Sequence, residues 1–116
     1  MSEYQVEQLQ HSIKAAQIKV DLAQSLERLR KNRDFHAVIT QGYLIEEALR
    51  LVYLKAEPAM QTPVNQASIE KQIDALGGFN SFLTTIEFLG RQAARTIEAD
   101  NETLDWMRQN PNGEEQ

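Results

Sequence analysis

The residue types able to carry chemistry in this chain are few, and their spacing does not assemble them. There are two histidines, His11 and His36. A helical metal site takes a second ligand in a motif such as H-E-x-x-H or E-x-x-H, because only side chains about one turn apart share a face. Neither histidine stands in such a motif, so both read as surface or half-buried side chains. Glu46 and Glu47 form an adjacent acid pair. Neighbours on a helix point about 100° apart, too far to flank one substrate. With Arg50 three and four residues on, they read as helix-surface ion pairing. A di-iron bundle would need glutamates on four helices and two E-x-x-H motifs, which are missing. No serine lies in G-x-S-x-G, and the Gly-Gly-Phe-Asn-Ser segment at 77–81 lacks the lysine of a phosphate-binding loop. The absence of cysteine removes disulfides, thiolate zinc sites and cysteine nucleophiles. The expectation is a protein that is not an enzyme, with no catalytic residue, metal or cofactor.

Binding residues are easier to find. Arg28, Arg30, Lys31 and Arg33 form a basic cluster and a candidate phosphate contact. They do not share one helix face, and cations gather at helix C-termini for macrodipole reasons alone. Arg91 and Arg95 form a smaller basic spot beside Glu87 and Glu98. Tyr43, Tyr53 and Trp106 are of the type that anchors interfaces. Leu104, Trp106 and Met107 place a large apolar cluster close to the C-terminus. Something must cover it: the first half of the N-terminal helix or a partner chain. The candidate interaction residues are therefore Val6, Leu9, Ile13, Leu104, Trp106 and Met107.

Three helical blocks must position these groups. In the first, from about Ser2 to Lys31, Val6, Leu9, Ile13, Ala16, Val20 and Ala23 alternate by three and four, which keeps them on one stripe. Leu22, Leu26 and Leu29 form a second stripe, no Gly or Pro interrupts, and Ser2 is placed to cap. After Lys31, Asn32 is expected to leave helical geometry and Asp34 to cap the second block. That block has a short helix carrying Phe35, Val38 and Ile39, ended by a left-handed Gly42. A second helix follows with Leu44, Ala48, Leu51 and Val52 at core spacing, Ile45 and Leu54 beside them, and Pro58 at its end. Residues 58–66 read as a loop. The third block, about Ser68–Gln109, has the stripe Ile69, Ile73, Leu76, Phe79, Phe82, Ile86, Leu89, Ala93 and Ile97, extended by Leu104 and Met107. Gly77-Gly78 inside it costs a helix about 2 kcal/mol relative to alanine. That predicts either a break or a close backbone approach. No strand pattern competes. The fold class is all-α: long N- and C-terminal helices packed as a hairpin or small bundle, with a short central helical pair. One helical domain spans 1–109, with a flexible acidic tail at 110–116.

Composition agrees. Apolar residues at 41% and charged residues at 25% suit one folded domain. The polar N-terminus lacks a signal-peptide core, and no apolar run spans a membrane. Net charge is −5. Residues 1–33 are net basic, so the remainder is strongly acidic, which argues against broad contact with nucleic acid.

The segment from Arg28 to Gln61 resembles small uncharacterised helical proteins of tailed bacteriophages, encoded among head and structural genes. The shared pattern is N-x-D-F-x-x-V-I-x-x-G-Y, then an E-E-A-x-R-L helix closed by proline. Asn32, Asp34, Phe35, Val38, Ile39, Gly42, Tyr43, Glu46, Glu47, Ala48, Arg50, Leu51 and Pro58 carry it here. A later I-x-x-I-x-x-G pattern, Ile69 or Ile73 through Gly77, is also similar, so that the likeness covers roughly 22–100. Arg33 stands where the pattern has proline. The resemblance implies a setting and no catalytic residues. The expected function is a phage structural or assembly accessory protein acting by protein–protein contact. Its partners would be copies of itself or a phage head protein, in the cytoplasm of the infected bacterium or in the virion. The alternatives are a small phage regulator or inhibitor of a host or defence factor, and a nucleic-acid-binding accessory protein using residues 28–33.

Overall fold

The computed structural model describes residues 3–111, and every element among them is helical. Helix α1 spans Glu3–Lys31, α2 Arg33–Phe35, a π-helix His36–Glu47, α3 Ala48–Ala56, a 3-10 turn Pro58–Met60, and α4 Pro63–Gln109. The all-α class is as expected, with a long N-terminal helix packed against a long C-terminal one. The chain forms two compact units: Met1–Ser25 with Ile86–Gln116, and Leu26–Thr85. Ser2, proposed as the cap of α1, and residues 112–116 of the acidic tail lie outside the described residues.

In the first unit α1 and α4 run antiparallel. Val6 lies with Leu104 and Met107 near one end, Ala16 with Ala93 in the middle, and Ala23 against Gly90 further along. The seam is made of small residues. Ala16, Gly90 and Ala93 are buried, and a Cβ built on Gly90 would collide with the Cβ of Ala23. Small side chains let helix axes approach closely, at the expense of apolar area. Leu104 is the only large apolar side chain this unit fully buries among the described residues.

The second unit buries Leu26, Leu51, Ile69 and Leu83. Tyr43 meets Phe79 edge-to-face, ring centroids 5.9 Å apart, a favoured aromatic geometry. The Gln66 amide donates to the carbonyls of Lys55 (3.0 Å) and Met60 (2.8 Å), tying the end of α3 and the 3-10 turn to the start of α4.

Several local expectations are corrected. Asn32 is extended (φ −68°, ψ 128°) as expected, but it is also the cap: its side chain accepts from the Phe35 amide at 3.0 Å. Asp34 sits inside the first turn instead, where its charge still suits the dipole. Gly42 does not end a helix, because no glycine has positive φ. Residues 33–56 run on in right-handed helical backbone, widened in the middle to a π-helix. Twelve residues is long for this form, which mostly occurs as single-turn bulges. Residues 58–66 are not a loop throughout. Helix α4 begins at Pro63, where the Thr62 hydroxyl accepts from the Asn65 amide at 3.2 Å. Proline suits a first helical position, since the donor it lacks would have no partner there. Finally, α4 passes through Gly77-Gly78 unbroken, and a Cβ on either glycine would meet open space. The pair marks neither a break nor a close approach.

Candidate interaction surfaces

The candidate interaction residues divide by burial. Val6, Leu9 and Ile13 are half-buried on the side of α1 that faces α4, Leu104 is buried and Met107 half-buried. The C-terminal apolar cluster is thus covered largely within the chain, by the N-terminal half of α1. Only Trp106 stays well exposed, at 48%. Ala16, Ala93 and Ser12 line an open groove of about 280 Å³ along the same seam.

The basic cluster straddles the end of α1, with Arg28, Lys31 and Arg33 exposed. Lys31 Nζ pairs with Glu27 Oε1 at 3.3 Å, Arg30 is half-buried, and Arg28 and Arg30 both interact with neighbours. Arg33 lies across the Asn32 cap, at the first position of α2. The four residues fall on two helices and on different faces. Arg91 and Arg95 are exposed on α4.

Arg50 takes Glu47 in a two-pronged pair, Nε to Oε1 at 2.6 Å and an Nη to Oε2 at 2.8 Å. That hydrogen bond holds the Glu47 carboxyl below its ordinary range and raises Arg50 in turn. The pair lies on the helix surface, with Glu47 at the edge of a broad, open depression beside the π-helix. Among the described residues, no group of three or more His, Asp or Glu side chains gathers where it could hold a metal ion.

Large apolar side chains are left outside the packed faces, among them Leu22, Val52 and Phe82, which the sequence placed at stripe or core positions. On α1, Ile18 (69%) and Leu22 (53%) lie on the face opposite the seam. In the second unit Ile45, Leu49, Val52 and Tyr53 are all exposed. They follow i, i+4, i+7 and i+8, one side of a helix. Val52 and Ile45 belong to no core, and Phe82 is 61% exposed while its neighbour Leu83 takes the buried position. Val38, with Ile39, Gly42, Tyr43 and Glu47, borders a broad depression beside the π-helix. The second stripe read on α1 from the sequence, Leu22, Leu26 and Leu29, divides: Leu26 is buried, while Leu22 and Leu29 stay exposed together with Ile18. No helix among the described residues is long and apolar enough to cross a membrane.

No family model matches the chain, and no curated protein or solved structure is detectably similar to it.

Proposed function

We propose that this protein works by protein–protein contact, as an oligomeric structural or assembly accessory subunit. The observation that carries the reading is the exposed apolar row Ile45, Leu49, Val52 and Tyr53 along one side of the second helical segment. Side chains at that spacing form one continuous strip. Single exposed apolar residues are ordinary on a protein surface, but a contiguous strip marks a contact site. The fully buried core of each unit is small beside what is left exposed. Association would remove that surface from water at roughly 25 cal/mol per Å².

The setting proposed is a tailed bacteriophage, with a head protein or further copies of the chain as partner. Its support is the resemblance carried by Asn32, Phe35, Gly42, Tyr43 and the Glu46–Leu51 helix. The test is molar mass in solution across micromolar concentrations, followed by retention of a phage head protein on immobilised chain. The expected result is a defined multiple of 13.3 kDa, or a stoichiometric complex with the head protein. A monomer at every concentration that also retains no head protein overturns the reading.

A further inference from the structure

We infer that the outer face of α1 is a self-pairing seam, on which a second copy of this chain docks antiparallel in one register. The inference rests on the oligomeric reading above and adds which face pairs, in which direction and by what code. Helix α1 has two stripes. The inner one faces α4. The outer one passes through His11, Ala15, Ile18 and Leu22, all exposed. Its steps of four, three and four are those of a coiled-coil seam. The same steps lead back through Gln8 to Tyr4 and on through Ser25 to Leu29, so that exposed apolar residues alternate with polar ones toward both ends of the helix.

The occupant is identified by charge. Along one edge of this stripe stand Glu7, Lys14, Asp21 and Arg28, all exposed. They are seven residues apart and alternate in sign. Consider a second α1 laid antiparallel, with Ile18 opposite Ala15 of the second copy and Leu22 opposite His11 of the second copy. Edge residues of this class then face one another across the seam. Lys14 meets Asp21 of the second copy, and Asp21 meets its Lys14. Glu7 meets Arg28 of the second copy, and Arg28 its Glu7. Every facing pair along this edge is of opposite sign.

The competing arrangements fail on the same residues. Sliding the antiparallel partner by one heptad sets Lys14 against Lys14 and Glu7 against Asp21, or Asp21 against Asp21 and Lys14 against Arg28. A parallel partner sets Lys14 against Lys19 of the second copy. Like charges held face to face oppose pairing, so the pattern selects against wrong registers as well as for one. The seam itself is only partly apolar. His11 and Ala15 supply little area, so charge sets the alignment that Ile18 and Leu22 alone would leave loose. Because the pairing is two-fold symmetric, it closes as a dimer.

The test uses the full chain. Lys14→Glu and Asp21→Lys each turn two attractive contacts of the dimer repulsive, and both sites are exposed, so helix content by circular dichroism should not change. Each should weaken the dimer roughly tenfold at low salt, and the double variant should restore it. The chain has no cysteine, so introduced thiols report directly. Under oxidation Leu22→Cys should cross-link to a His11→Cys chain and not to itself. In this register the two Leu22 positions of a dimer are about 16 Å apart along the helix. A dimer indifferent to both charge reversals, or Leu22→Cys self-linking, overturns the seam while leaving the oligomeric reading standing. A chain that is monomeric throughout, without a head-protein partner, overturns both.

Discussion

At the scale of single residues, three glycine contexts on α4 make opposite demands although the residue is the same. Gly90 is buried against α1, with the Lys19 carbonyl oxygen 3.5 Å from where a Cβ would sit and the Ala23 Cβ in collision with it. Gly90→Ala should therefore force the helices apart. Overpacking of this kind costs about 1–3 kcal/mol, partly offset by about 1 kcal/mol of helix propensity. Gly77→Ala and Gly78→Ala meet nothing and should each stabilise by up to about 1 kcal/mol. Urea unfolding of the three single variants reads both signs at once. A destabilised Gly77→Ala would mean the pair has a use other than tolerating helix. Glu47 gives a second residue-scale test. Its carboxyl is held below the ordinary glutamate range by the Arg50 hydrogen bond. A group depressed in the folded state stabilises above its ordinary value and loses that contribution as pH falls through the lowered one. Arg50→Ala should move the Glu47 titration up to the ordinary range, read by carbon-detected NMR. Because both side chains are solvated, global stability should barely respond.

At the scale of elements, the π-helix is the unusual piece. Gly42 lies in its middle, and a Cβ there would stand 2.9 Å from the carbonyl oxygen of Ala37, five residues back. The glycine is thus explained by a close backbone approach within the widened helix, with right-handed φ. Thr40, in the same segment, differs from threonines of α4. Thr84, Thr96 and Thr103 each donate their hydroxyl to a carbonyl three or four residues earlier. Thr40, in the widened segment, has its hydroxyl oxygen buried without a partner. Gly42→Ala should cost about 1 kcal/mol net: the clash is with backbone, which yields less readily than a side chain, and alanine propensity recovers part of the loss. Thermal unfolding gives the sign. A gain would mean the segment narrows to an ordinary α-helix at no cost.

At the scale of the whole molecule, the question is what covers the exposed apolar side chains. Leu49→Ser removes the centre of the Ile45–Tyr53 strip without touching a buried position. It should leave unfolding nearly unchanged and weaken association with the partner of that surface at least several-fold, measured as retention of the head protein or as molar mass against concentration. If the strip were incidental, both readings would match the parent chain. The α1 seam and this strip lie on different helices, so combining Leu49→Ser with Lys14→Glu should give additive effects on assembly.

Much of this was legible in the residues. The three-and-four spacing of Val6 to Ala23 determined a long first helix with a core stripe. Asn32 determined its end, Pro58 closed the second helical segment, and Ile69 to Met107 marked a long last helix. These are local matters of periodicity and chain geometry. The tertiary structure alone decided which of several plausible apolar positions are inside. Phe82 and Leu83 are adjacent and both large, and only the packing neighbour selects Leu83. It decided that Gly90 matters and Gly77 does not, because a close approach depends on a second helix far away in sequence. It also decided that Gly42 lies within a π-helix, since the choice among helix widths turns on hydrogen-bond partners a residue apart. The candidate interface divides in the same way. Its residue types could be named from the sequence, but exposure is a property of what packs against a side chain, and local sequence does not contain it.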